Sequence, residues 1–485
     1  MLFNTLAYAR FFALVFVVSW ALARFRKVRV VFLLAASYAF YAHWDWRYLA
    51  LIFGSSTIDW WLGNQIARED TPRKRRLWLL LTVAVNLGVL GFFKYWNFGI
   101  DSARAVLAEF GLHPSLSTLQ IALPVGISFF TFESMSYVID VYRRDIEPHP
   151  SYLEYLCFVA FFPHLVAGPI VRPRDLLPQL ANVARFKPEH GSEGLFLIAV
   201  GLLKKVAIGD YLALNLVDRV FDSPFFYSSL ECYAAIVGYA IQIYCDFSGY
   251  TDIAIGSALL LGVRFPQNFA SPYQASNIQD FWRRWHISLS TWLRDYLYVP
   301  LGGNRKGNAR TYFNLMITML IGGLWHGASW TFVIWGGLHG LGLAVTRAWQ
   351  RRSLPLPSPS GRRAGDEGSA SRRRSWGRIL GVVLTFHFVC LCWVFFRAGS
   401  FDKVSLMFSQ LGQFTFHHPN LNRMSLAVLG LGVASHYVPQ DRFERLKQRF
   451  IAAPAVVQGV LLFVAALIVR QMLSTETVPF VYFQF

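Results

Sequence analysis

The sequence carries little charge for its length. Only 15% of the 485 residues are charged, whereas 54% are hydrophobic and 16% are aromatic. Soluble globular chains carry about 25% charged residues, so this composition excludes a soluble protein of two or three domains. It equally excludes a disordered, a collagen-like or a disulfide-stabilised chain. A polytopic membrane protein remains, in which one helical bundle is solvated mainly by lipid.

Several short motifs of well-known enzyme classes are also missing. The chain has no Walker A loop, dinucleotide-binding fingerprint, zincin motif or nucleophile elbow. These absences argue against an ATP-driven pump, although they leave a secondary transporter open. The cysteines lack the spacing of metal ligands. We therefore expect no metal site and interpret them as small core residues: Cys157, Cys232, Cys245, Cys390 and Cys392.

Acidic residues are the scarcer charged type. The chain has 46 Lys and Arg against 28 Asp and Glu, which gives a net charge of +18. A basic excess can indicate nucleic-acid binding, but here the cations form short clusters between apolar runs, which is the positive-inside pattern. We predict no nucleic-acid partner, an external N terminus and an external C terminus near Phe485. The predicted cytoplasmic loops are 24–29, 67–76, 142–147, 172–187, 303–310, 347–378 and 442–449.

The whole chain, residues 1–485, is interpreted as one all-α membrane domain with about 11–12 spanning helices. Residues 350–377, rich in Pro and Arg, are predicted to form a disordered cytoplasmic loop within it. The segment 151–168 is apolar but interrupted by Pro163, which favours a re-entrant hairpin. We expect a break near Gly249. The predicted spans are 3–22, 30–43, 47–66, 77–93, 119–141, 192–215, 230–262, 312–330, 331–348, 378–397, 424–438 and 453–472.

His326 is a candidate functional residue because ionisable groups within membrane spans are costly and usually serve a purpose. It lies deep in an apolar run, roughly 24 Å along a helix from its basic start. An imidazole at this position can accept a proton near physiological pH. Gly323 and Gly327 would let another backbone approach, and Trp325 and Trp330 favour a lined cavity. A histidine that only links helices through hydrogen bonds fits the residues equally well.

His286 lies in a segment with a pronounced amphipathic pattern. In a helix over residues 281–296, one face holds aromatic and leucine side chains and the other holds cations. This pattern predicts an interfacial helix, with Arg283 and Arg284 toward lipid headgroups or an anionic ligand. His286 would project at the edge of the aromatic face, beside Trp285. An ordinary amphipathic anchor, in which the histidine has no role, is the open alternative.

Other polar side chains also enter the apolar segments. They would either line a polar channel or cap broken helices, and the second interpretation is favoured. These residues are Glu133, Asp140, Lys204, Lys205, Tyr244, Asp246, Ser248, Tyr250 and Asp252.

Six segments together resemble the membrane-bound O-acyltransferase family, in particular its bacterial branch that acetylates alginate. The resemblance implies a helical bundle with a pore-like cavity, and the family's invariant histidine falls on His326. The second polar position falls on His286, and Trp285 and Trp325 would then line the cavity. The matching segments are 126–142, 161–170, 244–252, 281–303, 322–330 and 479–485.

The resemblance also implies an activity: transfer of an acetyl group across the bacterial inner membrane to a polysaccharide outside it. The donor would be acetyl-CoA or another cytoplasmic thioester, with no bound cofactor, and a periplasmic partner with an SGNH-hydrolase-like fold would complete the transfer. His326 would act as general base and His286 would orient the thioester or stabilise developing charge. Arg283 and Arg284 suit the phosphates of the donor.

Three alternatives remain open at this point. The chain could transfer D-alanine from an acylated carrier protein to teichoic acid, or an acyl group to peptidoglycan. It could also belong to a different class, as a polysaccharide transporter or exporter that performs no acyl chemistry.

Overall fold

The computed structural model describes residues 1–120, 122–166, 168–183, 185–353, 367–473 and 478–481. Within these ranges every regular element is a helix, so the predicted all-α fold is confirmed. A helix satisfies its own backbone hydrogen bonds, which a bilayer requires of any segment that crosses it.

The N-terminal part of the chain forms helices joined by short connections. The first begins at Thr5, whose side chain accepts a hydrogen bond from the backbone N–H of Tyr8. A π-helical segment, Gly91–Tyr95, joins α4 to α5 in one continuous rod. The helices are α1 Leu6–Ala21, α2 Arg26–Asp45, α3 Leu49–Arg68, α4 Pro72–Leu90, α5 Trp96–Glu109, α6 Ile127–Arg143, α7 Tyr152–Ala160, α8 Phe162–Leu165 and α9 Pro173–Leu180.

The C-terminal part surrounds the long helix α12, which begins with a capping box between Ser228 and Glu231. The π-helical segments Leu203–Asp210 and Ala213–Val217 carry α10 on to α11, and Arg294–Tyr298 extends α14. The helices are α10 Pro188–Leu202, α11 Asp218–Asp222, α12 Ser229–Leu260, α13 Ile278–Arg284, α14 Ile287–Leu293, α15 Gly307–His326, α16 Trp330–Ser353, α17 Glu367–Ala398, α18 Phe401–Gly412, α19 Arg423–His436, α20 Gln440–Ala452 and α21 Ala455–Met472.

Helix α12 is unbroken, so the expected break near Gly249 is wrong. Gly249 serves close packing instead: a Cβ atom there would lie 2.7 Å from the carbonyl oxygen of Gly201 on α10. The reverse contact, from a Cβ at Gly201 to the carbonyl of Gly249, would be 2.5 Å. The two backbones approach so closely that only glycine fits at either position.

The predicted span 119–141 is also wrong at its start, because α6 begins at Ile127. Gly126 precedes it with a φ of +75°, a conformation that a glycine adopts without strain. A Cβ atom at Gly126 would lie 2.5 Å from the carbonyl oxygen of Leu165. The beginning of α6 is therefore set by its contact with the segment that contains α8.

Three stretches of the described residues are long and apolar enough to cross a bilayer by themselves: Pro72–Glu109, Trp376–Ala398 and Ala455–Met472. Other long helices contain buried polar groups, such as Asp246 within α12. These groups lower the hydropathy of a helix without facing lipid, because they point into the bundle. The number of 11–12 spans stays a prediction.

Residues 154–166 of the predicted re-entrant hairpin are enclosed by protein, as such a hairpin requires. Both α7 and α8 are buried almost throughout, from Glu154 to Val166. The ends of the predicted disordered loop differ from the expectation, because α16 continues to Ser353 and α17 begins at Glu367. Residues 354–366 lie outside the described residues, so their disorder stays a prediction.

The cysteines have the role expected of them. All five are free and buried. Cys390 and Cys392 lie on α17 and Cys245 on α12, where they contribute small side chains to the helix contacts.

Candidate active site

The structure brings His286 and His326 together, although they are far apart in sequence. Their ring centroids are 6.4 Å apart. His286 is fully buried and His326 is 3% exposed. Each lies at a helix end: His326 is the last residue of α15, and His286 separates α13 from α14. Two imidazoles are thus held side by side within the bundle.

The single amphipathic helix predicted over 281–296 is wrong. Helix α13 ends at Arg284, and His286 has a left-handed backbone with a φ of +42° before α14 begins at Ile287. Such a conformation is uncommon for a residue other than glycine and is often found at functional sites. Because of this break, the His286 side chain is buried inside the protein. A continuous helix would have placed it at the edge of the aromatic face.

Asn268 stabilises this break from a separate loop. Its backbone carbonyl accepts a hydrogen bond from the N–H of Ile287 at 2.9 Å. Its side-chain oxygen accepts two more, from the N–H of Ser288 at 3.1 Å and from the Ser288 hydroxyl at 2.9 Å. The sequence offered no local signal for the break, because the stabilising groups come from 20 residues away.

The aromatic face predicted for the segment exists, but it contacts protein and is not an anchor at the membrane surface. Trp292 stacks on Phe132 of α6, with ring centroids 3.7 Å apart and an angle of 8° between the planes. The indole N–H of Trp292 donates to the carbonyl of Phe132 at 3.0 Å. Leu289, Leu293 and Tyr296 share this buried face.

Aromatic side chains enclose the two imidazoles. Trp325 contacts both of them, with its ring centroid 5.9 Å from that of His286 and 5.1 Å from that of His326. We call this enclosure the histidine chamber, and its rings belong to Phe247, His286, Trp325, His326, Trp335 and Phe396. Trp285 lies outside it, because it stacks on Phe281 and packs against Trp393.

A third buried histidine, His339 on α16, borders the histidine chamber and was not singled out in the sequence. Its ring centroid is 4.7 Å from that of Trp335. Its Nδ1 accepts a hydrogen bond from the indole N–H of Trp282 at 3.3 Å. The rule that an ionisable residue in a membrane span is a candidate would have found it. Its contacts are those of a packed side chain that ties α13 to α16.

Buried and half-buried ion pairs lie near Phe247. Lys205 contacts both Asp210 and Asp246 at 2.5 Å, and Lys204 contacts Asp252 at 2.7 Å. We call these five residues the ion-pair cluster. Four of the nine polar residues that were expected to cap broken helices, namely Lys204, Lys205, Asp246 and Asp252, therefore pair with one another inside the bundle.

The C-terminal segment 478–481 reaches into the protein beside the ion-pair cluster. The N–H of Val481 donates to Asp246 at 2.7 Å. The ring of Phe480 is 5.5 Å from that of Phe247, which itself borders His286 at 4.7 Å. Residues 482–485, and with them the predicted external C terminus at Phe485, lie outside the described residues.

A cavity of about 730 Å³ extends from the ion-pair cluster to helix α20 and to the loop that contains Arg264. Asn268 and Phe269 line it, and both contact the segment around His286. Four cations line its walls, namely Lys204, Arg264, Arg442 and Lys447, together with the carboxylates of Glu193, Asp252 and Glu444. The cavity therefore extends from a rim of mixed charge, part of which lies in the predicted cytoplasmic loop 442–449, to Phe269, whose ring lies 5.0 Å from that of Phe247 in the histidine chamber.

Lys447 at this rim keeps its charge at neutral pH. Burial works against the ammonium group, but hydrogen bonds to Glu444 at 3.0 Å and Glu193 at 3.2 Å outweigh it and raise the pKa of Lys447 above its ordinary value. The ion pairs neutralise part of the rim, while Arg442 is exposed.

The two arginines predicted to bind a donor differ in their position. Arg284 donates to Asp280 at 2.9 Å and to the carbonyl of Ala270, a residue that lines the cavity, at 3.4 Å. Arg283 is exposed and is not among the residues lining the cavity. In the part of the chain that the structure describes, no group of three or more His, Cys, Asp or Glu side chains is arranged to hold a metal ion.

Comparisons with known proteins agree with this architecture. Residues 142–359 match the family model described as membrane-bound O-acyltransferase. The "Probable alginate O-acetylase AlgI" of Pseudomonas putida is 39% identical over 95% of both chains. Its namesake from Pseudomonas aeruginosa is 42% identical over 84% of this chain and 74% of its own length. The "Peptidoglycan O-acetyltransferase" of Helicobacter pylori is 38% identical over 77% and 72%. The chain therefore belongs to the membrane-bound O-acyltransferase family and is an O-acyltransferase.

Proposed function

We propose that the protein moves an acetyl group from a cytoplasmic thioester across the bacterial inner membrane for the O-acetylation of an exopolysaccharide such as alginate. The observation that carries this proposal is the pair of buried imidazoles, 6.4 Å apart in an aromatic enclosure. The names of the relatives support the acetyl group and the polysaccharide. Peptidoglycan is the second candidate acceptor, because one relative carries that name.

In the proposed reaction, His326 accepts the proton of an attacking hydroxyl group. The hydroxyl oxygen forms a bond to the thioester carbonyl carbon, the carbon–sulfur bond breaks, and the departing thiolate receives the proton from the imidazolium. General base catalysis of this kind contributes typically ~10²–10⁴ in rate. His286 orients the thioester or stabilises the charge that develops on its carbonyl oxygen. The aromatic walls, including Trp325, exclude the water that would hydrolyse the thioester.

The cavity is the proposed route of the donor. Acetyl-CoA carries phosphates that suit the cations of the rim, and its acetyl-bearing arm is proposed to extend past Asn268 toward His286. Arg284 is proposed to assist at the cavity wall, and Arg283 to attract the donor at longer range from the exposed surface. Trp285 is proposed to support this wall from behind through its contact with Trp393.

A periplasmic SGNH-hydrolase-like partner is proposed to pass the acetyl group on to the polysaccharide. The chain itself would then deliver the acetyl group only as far as the external surface of the membrane. This division of labour predicts that purified protein with donor alone turns over slowly, and that an external acceptor accelerates it.

The test uses inner-membrane vesicles that contain the protein, radiolabelled acetyl-CoA and a periplasmic extract of the same cells, which supplies the proposed partner. Acetyl transfer to alginate, with peptidoglycan and teichoic acid offered in parallel, is the expected result, and it should vanish in the His326→Ala variant. Label transferred only from an aminoacyl carrier protein would identify a D-alanyl transferase instead. Polymer export without any acetyl transfer, unchanged in His326→Ala, would identify a transporter and overturn the proposal.

A further inference from the structure

The junction of α4 and α5 meets the end of the helix that carries His326. Here the π-helical segment Gly91–Tyr95 places two neighbouring side chains against α15. The hydroxyl of Tyr95 donates to the carbonyl of Leu324 at 2.7 Å. The ammonium group of Lys94 donates to the carbonyl of Trp325 at 2.5 Å and to that of His326 at 3.1 Å. Three consecutive carbonyls that end α15 thus find their partners on α4–α5.

These carbonyls need partners from elsewhere, because the last four C=O groups of a helix have none within it. Lys94 has three donor hydrogens, and its third contact is the hydroxyl of Ser128 on α6 at 3.3 Å. The ammonium group also lies 5.9 Å from the centre of the Trp325 ring. One half-buried cation therefore links three helices at the wall of the histidine chamber.

The chain contains a second cation with nearly the same contacts, at a site remote from the histidines. Arg75, at the beginning of α4, donates to the carbonyl of Tyr142 at 2.8 Å and lies 5.7 Å from the centre of the Tyr142 ring. Each cation thus contacts one aromatic residue at the end of a neighbouring helix, and it contacts both the carbonyl and the ring of that residue. Substitution of Arg75 therefore serves as a control that measures how much such a contact contributes to stability.

We propose that Lys94 is a positioning residue for the acyl transfer: it holds the last turn of α15 so that the His326 imidazole faces His286. The inference rests on the proposed function. Its physical basis is that a base displaced by about 1 Å can lose roughly 10² in rate. A π-helical segment at this place is consistent with the role, because such segments often occur at functional sites. Tyr95 assists by holding the preceding carbonyl.

The experiment compares Lys94→Met, Lys94→Arg, Arg75→Met and His326→Ala in the membrane assay, with protein amount and the melting temperature Tm measured for each. Lys94→Met should lower kcat roughly 10²-fold and leave KM for acetyl-CoA unchanged. Lys94→Arg should recover much of the loss, because a guanidinium also donates to carbonyls. Arg75→Met should lower Tm by a similar amount but keep the wild-type kcat.

The outcomes separate this inference from the proposed function. If Lys94→Met and Arg75→Met have the same kcat while His326→Ala is inactive, Lys94 is only structural and the inference is wrong. A raised KM in Lys94→Met would also overturn it, because the residue would then act in binding. Wild-type turnover in His326→Ala would contradict the proposed function itself.

A second variant decides the matter if Lys94→Met does not accumulate in the membrane. Tyr95→Phe removes a single hydrogen bond, to the carbonyl of Leu324, and keeps the ring. A kcat below that of the wild type, at unchanged KM and Tm, supports the positioning role. A wild-type kcat overturns it.

Discussion

The histidine chamber and the ion-pair cluster are neighbours, because Phe247 of the chamber follows Asp246 of the cluster on α12, yet they differ in chemistry. The chamber is built from rings, and both of its imidazoles contact the ring of Trp325. The cluster is built from ammonium and carboxylate groups held 2.5–2.7 Å apart. Rings exclude water from a reacting centre, whereas paired charges satisfy one another and bind backbone groups. The protein thus separates the site proposed for chemistry from the site that holds its structure together.

The largest expected effect comes from the chamber. His326→Ala should lower acetyl transfer by ~10²–10⁴, because a methyl group cannot accept a proton. His339→Ala is the matched control, since it removes an equally buried imidazole that packs against the same Trp335 ring. Transfer of radiolabelled acetyl by equal amounts of membrane protein measures both variants. Equal activity of the two variants would show that His326 is not the base.

Breaking the ion-pair cluster should affect stability more than chemistry. Lys205→Met leaves Asp210 and Asp246 buried without their cation, and uncompensated buried charges cost about 3–5 kcal/mol. The expected result is a marked loss of Tm and of protein in the membrane, with a normal kcat for the remainder. Arg445→Met, which removes an exposed pair with Asp441, is the control and should change Tm little. If Lys205→Met is stable but inactive, the ion-pair cluster takes part in catalysis, and the proposed difference in role between cluster and chamber is wrong.

A smaller effect is expected at the other imidazole. His286→Ala should impair transfer less than His326→Ala, because saturating donor partly replaces its positioning of the thioester. Steady-state kinetics over a range of acetyl-CoA concentrations measures this difference. If His286→Ala is the more damaging of the two, the roles of base and positioning group must be exchanged.

The smallest effects concern the donor cations. Arg284→Ala should raise KM for acetyl-CoA at similar kcat, and Arg283→Ala should raise it less, because only Arg284 touches the cavity wall. Higher salt should weaken both differences, as screening reduces exposed electrostatic attraction. A reduced kcat at constant KM in either variant would contradict a donor-binding role.

Much of the fold could be predicted because apolar runs and basic loops carry local information. The helices α1 and α21, for example, lie almost where their apolar runs are. The sequence was misleading at glycines whose role is to allow contact with another part of the fold. Gly249 permits the contact with α10, and Gly126 permits the left-handed turn against Leu165. A single sequence cannot distinguish a glycine that breaks a helix from one that lets another helix approach.

The candidate site shows the same limit. His326 and His286 could be selected from the sequence, through the cost of an ionisable group in lipid and through the family resemblance. Lys94 and Asn268 were not selected, because they act through contacts with residues elsewhere in the chain. His339 was overlooked, although the rule for ionisable groups in membrane spans would have found it. Lys94 meets residues 231 and 232 positions later.

The sequence by itself determined that this protein is an all-α membrane bundle, because hydrophobicity and helical backbone bonding act locally along the chain. It also determined which histidines to examine. Only the tertiary structure decided that the two rings lie 6.4 Å apart, that the helix before His286 ends, and that Lys94 binds the last turn of α15. These are non-local contacts, made when helices distant in sequence pack together, and the free energy that selects them belongs to the packed bundle and not to any one segment.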